Sequence, residues 1–415
     1  MSLMRSIAVS LGLLGGVVGA AVLTPAVVQA QEAPKLSVDV ARPLKAAQDA
    51  MGKKDWDTAL AKIKEAQGKA KTDEEKYQID NFLGYVLIQQ RKYSEAAPVF
   101  ERMLNSGLVP AAEVDDREKT VAQLYFQVKE YRKSADWAQK WLKKHPGDRD
   151  MSVLLGQAHY LLNDFENATK VMNDVIARAE RAGRTPEENW IQIVLSSQYK
   201  LENNEGVAQA LAKMVRYHPK PQYWENLIDL EQRKNHSDMV NLALYRLADD
   251  VGVLKRSGDY VEMAQLANDA GLPGDAQKMV QKGIDSGVLS MKDKLDRDRH
   301  ERLLNSFKQR AEKDQAELPQ LAQEAEKATK GQINVALGQA YVSYGRIDEG
   351  IAEIEKGLKK GGVVDADEAQ MSLGMAYLKK GQPAQAREAF SAVSSDSKWA
   401  SVAELWRLRT YSNGT

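Results

Sequence analysis

Cysteine is absent from all 415 residues, which excludes disulfides, thiolate metal sites and thiol catalysis. Net charge is missing too, because 58 Lys and Arg balance 58 Asp and Glu. A chain without a basic field lacks the sequence-independent attraction that drives nucleic-acid binding. Its local basic runs, such as residues 140–144, suit the C-terminal ends of helices instead. Only five histidines occur, and none has the His-Glu-x-x-His spacing that sets two ligands on one helix face. Carboxylates cluster at residues 113–116 and 293–298 without the alternating pattern of a calcium loop. There is no Gly-x-Ser-x-Gly elbow and no glycine-rich phosphate loop. No catalytic residue, no metal site and no cofactor are expected.

The first thirty residues hold a single charge, Arg5, followed by an apolar stretch over 7–23 that contains four glycines. Pro25 and then Val28-Gln29-Ala30, a small-x-small cleavage pattern, precede the polar Gln31-Glu32. This is the layout of a secretory signal. The apolar run also approaches the ~17 residues that a membrane span needs, but the glycines and the cleavage pattern favour removal. A periplasmic protein of a Gram-negative bacterium is expected, soluble after cleavage. Only Arg5 leaves with the signal, so the mature chain carries 57 basic against 58 acidic residues.

What the chain does contain is a repeated phrase. It reads LGQAHYLLNDFENA at 155–168, LGQAYVSYGRIDEG at 337–350 and LGMAYLKKGQPAQA at 373–386, with a looser copy, LGYVLIQQRKYSEA, at 83–96. In every copy a glycine (Gly84, Gly156, Gly338, Gly374) precedes a second small residue (Ala96, Ala168, Gly350, Ala386) by twelve positions. The physical reading is a helical hairpin. A glycine in the first helix allows close approach, a short polar turn follows, and the second small residue sits where the axes cross. Small residues there keep the axes near the short end of the usual ~8–10 Å.

Extended along the chain, the small anchor falls at Ala59, Ala96, Ser134, Ala168, Ala208, Val240, Ala276, Gly350 and Ala386. The steps lie between 32 and 40 except for one of 74, about two periods. One degenerate unit is therefore expected between Ala276 and Gly350. The expected packing residues are Gly84, Ala96, Gly156, Ala168, Ala208, Gly338, Gly374 and Ala386.

This pattern resembles the tetratricopeptide repeat, a helix–turn–helix unit of about 34 residues. The aromatic-x-x-Ala elements Trp56 to Ala59, Tyr93 to Ala96 and Phe165 to Ala168 carry the resemblance, as do the unit-closing prolines Pro146 and Pro219. It covers roughly residues 40–410 and implies an all-α, tetratricopeptide-type α-solenoid, a right-handed superhelix of helix–turn–helix repeats. The expected organisation is a signal peptide at 1–30, a linker at 31–42 and a repeat array at 43–287. A charged degenerate repeat or hinge follows at 288–330, then two clean repeats at 331–412.

A solenoid of this kind presents a concave face lined by the first helix of each unit. Positions three before, one after and four after the small glycine position would point into it. The candidate groove residues are Asn81, Tyr85, Gln123, Phe126, Gln157, Tyr160, Ser197 and Lys200. Amides with Tyr and Phe suit an extended peptide, whereas Ile88, Phe126 and Val153 fit a core equally well. His159 takes the aromatic slot that Tyr341 and Tyr377 fill elsewhere and reads as packing. His145 and His218 read as helix C-terminal residues, and His300, within DRDRHERL, as solvated. Trp190 and Trp224 read as core. Residues 290–318 read as one amphipathic helix with Leu295, Leu303, Leu304 and Phe307 on one side, and Pro319 as its interruption.

The series Asn189-Trp190, Tyr223-Trp224 and the run 271–289 resembles the exported tetratricopeptide proteins associated with TonB–ExbB–ExbD systems. That resemblance implies a non-catalytic scaffold contacting periplasmic transport components. An envelope-assembly or chaperone-like factor that holds outer-membrane or polysaccharide-export clients is the competing reading. Self-association through exposed end repeats stays open.

Overall fold

The computed structural model describes residues 36–412; the segment read as an export signal lies outside them. Among the described residues there are twenty α-helices and no strand. They pair as hairpins: α1 (Val38–Gly52) with α2 (Trp56–Gln67), α3 (Asp73–Gln89) with α4 (Tyr93–Asn105), and α5 (Ala111–Gln127) with α6 (Tyr131–Lys144). Next come α7 (Arg149–Leu161) with α8 (Phe165–Arg181), then α9 (Glu188–Lys200) and α10 (Asn204–Tyr217). The second half holds α11 (Pro221–Gln232) with α12 (Asp238–Asp250), α13 (Ser257–Asp269) with α14 (Pro273–Asp285), and the long α15 (Lys294–Lys327). It ends with α16 (Gln332–Ser343) and α17 (Ile347–Lys360), α18 (Ala366–Lys379) and α19 (Pro383–Ser391), and α20 (Ala400–Arg409). The chain divides into two compact units between Val207 and Ala208, inside α10. This is the expected all-α, tetratricopeptide-type α-solenoid.

One turn geometry recurs. Five residues before each anchor, the backbone enters the left-handed region: Lys54, Arg91, Lys129, Asn163 and Glu202 in the first unit, Gly271, Gly345 and Gly381 in the second. The next N–H then reaches back to the carbonyl five residues earlier. Lys92 donates to Leu87, Glu130 to Tyr125, Asp164 to His159 and Gln382 to Tyr377, all at 2.9 Å. This left-handed cap ends the first helix and satisfies a carbonyl that would otherwise lack a donor. The α11–α12 hairpin lacks the left-handed residue at this position.

The anchors behave as their size requires. Ala59, Ala96, Ala168, Val240, Ala276 and Ala386 are fully buried. Ser134 is tolerated because its hydroxyl donates to the Ala122 carbonyl on the facing helix at 2.8 Å, which satisfies a buried polar group. Across the crossing, a Cβ on Gly84 would meet the Phe100 ring at 3.0 Å, and one on Gly156 would meet Met172 at 2.9 Å. α16 and α17 come closest. A Cβ on Gly338 would lie 2.6 Å from the Gly350 carbonyl oxygen, and one on Gly357 would lie 2.7 Å from that of Gly331.

One anchor is corrected. Ala208 is only half-buried, whereas Val207, at 2 % exposure, occupies the fourth position of α10 and donates to the Asn203 carbonyl as its counterparts do. The register in this unit is shifted by one residue, about 100° of helix rotation.

The degenerate unit is also corrected: it is not a hairpin but one helix of 34 residues, about 50 Å long. Its buried residues His300, Phe307, Ala311, Leu318 and Ala325 step by seven, four, seven and seven, a narrow seam that needs no turn to stay buried. The helix runs through Pro319, because Leu318 and Ala325 pack against Leu337, Ala340 and Tyr341 on either side of the missing N–H. His300 is buried rather than solvated, with Nδ1 3.0 Å from the Ser290 carbonyl. Leu295 is exposed, one end of the expected stripe having no surface to cover.

Neighbouring helices, within and between repeats, are tied by polar links. Glu101 on α4 accepts from Trp137 Nε1 and Lys133 Nζ on α6, both at 3.1 Å, and from Tyr125 on α5. Buried Glu118 on α5 pairs with Lys140 at 3.1 Å and Lys144 at 2.8 Å on α6. Glu75 closes the capping box of α3 with Thr72 and accepts from the Ser37 backbone and hydroxyl, joining the starts of α1 and α3. Trp190 and Trp224 are core.

Candidate functional site

In the first unit the first helices α3, α5, α7 and α9 carry the expected row. Asn81 accepts from Arg117 on α5 at 3.0 Å, which fixes α3 against its neighbour. Tyr85 lies tilted against Trp56, ring centres 6.1 Å apart. Phe126 and Tyr160 each meet the first aromatic of the following helix edge-on, Tyr131 at 5.4 Å and Phe165 at 5.6 Å. These two rings therefore also brace their own hairpins. His159 is buried, with Nδ1 2.9 Å from Asp164.

Gln123 and Gln157 are both half-buried, and among the described residues their amides have no hydrogen-bond partner. They sit at the same position of successive units. Ser197, by contrast, is fully buried and its hydroxyl has no partner. The one-residue shift found at Val207 explains this: the face in α9 belongs to Gln192, Ser196 and Tyr199, of which Tyr199 is exposed. Lys200 is exposed beside that face.

The second unit holds a partly open cavity of about 240 Å³. From α16 and α18 it receives Gln339, Val342, Met375 and Leu378, which are the positions one and four after Gly338 and Gly374. The groove rule read on the first unit thus predicts four of the seventeen lining residues here. Others come from second helices, among them Arg246 and Asp249 of α12, and Asp275, Lys278, Met279 and Lys282 of α14. Second helices were outside the expected groove. They face the cavity because the odd helix α15 stands between α14 and α16, so the alternation of first and second helices slips by one. α20 closes the wall: Trp406 donates to the Ala243 carbonyl at 3.1 Å, and Arg409 pairs with Asp250 at 2.5 Å.

The cavity's charges are mostly paired. Arg246 meets Asp275 at 2.7 Å, Lys282 meets Asp249 at 2.6 Å, and Lys278 donates to the Ser343 carbonyl at 2.7 Å. Burial alone would raise the Asp275 carboxyl, but Arg246, with Lys379 and Lys278 nearby, holds it below the usual range. Lys379 has no hydrogen-bond or ion-pair partner among the described residues. It lines the cavity and is exposed to solvent. Partial desolvation by neighbouring protein still pushes its ammonium below the ordinary lysine range, against the pull of Asp275. On the adjoining wall Gln339 donates to Ser372 at 2.9 Å and Glu368 at 3.3 Å, and burial raises the Glu368 carboxyl.

Among the described residues no group of three or more His, Asp or Glu is placed to hold a metal ion, and no helix is long and apolar enough to cross a membrane.

Hairpins stacked on a common anchor define a repeat-type helical fold. The family model for the tetratricopeptide repeat matches residues 44–113 and 335–398, so the chain carries tetratricopeptide repeats near both ends. No curated protein matches it. Among solved structures it is similar to a tetratricopeptide repeat protein from Parabacteroides merdae, at 13% identity over 90% of this chain and 99% of that one, with a TM-score of 0.30. It is also similar to Naa15/Naa10 bound to HypK-THB, at 16% identity over 89% and 61% and a TM-score of 0.32. A third is the TPR2AB-domain:pHSP90 complex of yeast Sti1, at 12% identity over 72% and 99% and a TM-score of 0.25. Scores this low say nothing about function.

Proposed function

We propose that the chain is a non-catalytic interaction scaffold of the periplasm that holds an extended segment of a protein partner along the first helices of its first unit. The observation that carries this reading is the pair Gln123 and Gln157. They are half-buried amides in equivalent positions of adjacent repeats, with donors and acceptors that the chain itself does not use. Amides so placed can bond successive peptide groups of an extended chain, while Tyr85 supplies apolar area beside them at low entropic cost. Tetratricopeptide proteins generally mediate protein–protein contact, and the fold offers no reacting group in these positions.

The export-type N-terminus around Arg5 and Val28-Gln29-Ala30 supports the periplasmic placement. The resemblance around Trp190 and Trp224 supports a role beside TonB, ExbB or ExbD. The test is a crosslinking pull-down from envelope extracts with wild type and with Gln123→Ala/Gln157→Ala. Capture of a TonB-system component that the double variant loses supports the reading. A broad spread of unfolded outer-membrane proteins points to a chaperone instead, and capture unaffected by the double variant removes this face from the site.

A further inference from the structure

The face of α5, α7 and α9 repeats a ring as well as an amide. Four positions after the small residue stand Phe126, Tyr160 and Tyr199, one on each successive first helix. Tyr199 is exposed and the other two rings are half-buried. Edge contacts with Tyr131 and Phe165 hold Phe126 and Tyr160 in place. Beside them stand Gln123, Gln157 and, on α9, Gln192, half-buried amides without a hydrogen-bond partner among the described residues. Charge is scarce on this face. At the positions three before, one after and four after the small residue of these helices, Lys119 is the only charged group, and Asp148 engages it at 3.0 Å.

The spacing selects the conformation of an occupant. α5, α7 and α9 pack directly against one another in order, so ring and amide recur every ~8–10 Å. A polyproline II chain repeats every three residues, or ~9 Å, and stays in step with that recurrence. A β-strand shows the same face every two residues, or ~6.7 Å, and falls out of step within one repeat. Prolyl residues carry no N–H, so their carbonyls need donors from the binder, which glutamine amides supply. Aromatic-lined grooves dock such chains, whose preformed helix loses little entropy on binding.

We propose that this face binds an uncharged, proline-rich segment of a protein partner in the polyproline II conformation. Prolines pack on Phe126 and Tyr160, and carbonyls three residues apart accept from Gln123 and Gln157. This rests on the reading of the face as the seat of an extended partner segment, and adds the segment's composition and conformation.

Fluorescence anisotropy on the full chain tests this with a labelled peptide of Pro-Pro-Ser repeats. Its all-D enantiomer, Gly-Gly-Ser and Thr-Ser peptides of equal length, and cellohexaose serve as controls. The expected result is saturable binding of the L-prolyl peptide alone, changing less than about twofold up to roughly 0.5 M salt because no ion pair forms. Gln123→Glu/Gln157→Glu keeps the acceptors and removes the donors, so it should weaken that peptide about tenfold without lowering the melting temperature. The proposal is overturned if the L-prolyl peptide does not bind, if the D-enantiomer or the Gly-Gly-Ser peptide binds equally, or if the glutamate variant binds as wild type does. A Thr-Ser peptide that binds more tightly, and is lost in Gln123→Ala/Gln157→Ala, overturns the polyproline II conformation and leaves the extended-segment reading standing. Binding of cellohexaose alone overturns the proposal in favour of a polysaccharide. Should no prolyl peptide bind while envelope capture still depends on Gln123 and Gln157, only this inference fails; capture indifferent to both residues removes the face itself.

Discussion

At the turn inside their hairpins the two units place different residues in the same backbone conformation. The first unit uses Lys54, Arg91, Lys129, Asn163 and Glu202; the second uses Gly271, Gly345 and Gly381. A side chain in the left-handed region costs ~1–2 kcal/mol, yet the first unit accepts it five times. The hairpin geometry is therefore imposed by the packing of anchor against facing helix and by the recurring cap hydrogen bond, and glycine follows from that geometry without causing it. The second difference is closure. In the first unit each polar link joins neighbouring helices or hairpins, as at Glu101 and Glu118. In the second, α20 returns to α12 across more than 150 residues of chain and lines one side of a cavity.

The largest expected effect tests that closure. Trp406→Ala removes a buried indole, its bond to Ala243 and its stack on Phe390, and should lower the stability of the second unit by ~3–5 kcal/mol. Denaturant unfolding should show a second transition moving away from an unchanged first one. A single transition shifted as a whole would mean that the two units unfold together.

Next comes a matched pair at the helix crossings. Gly338→Ala drives a Cβ into a backbone carbonyl and should cost ~1–3 kcal/mol; Gly84→Ala meets only the edge of the Phe100 ring and should cost less. Equal shifts in melting temperature would refute the tighter crossing of α16 on α17. At the turns, Gly381→Ala should cost ~1 kcal/mol through left-handed strain. Lys129→Gly should change stability by less than about 0.5 kcal/mol, since relieved strain is offset by the entropy of a freer unfolded chain. A larger gain there would show that strain in the first unit is not absorbed by packing.

The smallest effect is confined to acid. The Glu75 carboxyl is held down to about 2 from an ordinary 4.5, chiefly by the Lys71 backbone N–H and then by the Ser37 hydroxyl and N–H. A carboxyl lowered in the folded state contributes stability above pH 4.5 that is lost as pH falls towards 2. Hydrogen exchange at the starts of α1 and α3 should accelerate over that window in wild type. Glu75→Gln should exchange faster already at neutral pH and vary little with acid.

Much of this was legible in the residues. The phrase spacing located the hairpins and most of the small residues at their crossings, and it put Tyr85, Gln123 and Gln157 at matching repeat positions that are half-buried. It failed in α9, where Ala208 invited a register one residue late and put Ser197 in the groove; valine at the anchor leaves no small-residue signal. It failed again at 288–330, where Pro319 suggested a break that packing on both sides overrides. The proposed peptide face was readable because its residues recur at the repeat period. Most of the cavity was not, because Arg246, Asp275 and Lys379 share no period.

By itself the sequence determined the hairpin unit and most of its anchors, since each depends on residues within about forty positions of one another. Tertiary structure alone decided that α15 stays one helix, that second helices α12 and α14 come to face first helices α16 and α18, and that Trp406 of α20 lines the space between them. Those outcomes rest on contacts such as Trp406 to Ala243, 163 residues apart. A local pattern cannot encode them, because the burial that stabilises such a contact exists only once the intervening helices have stacked.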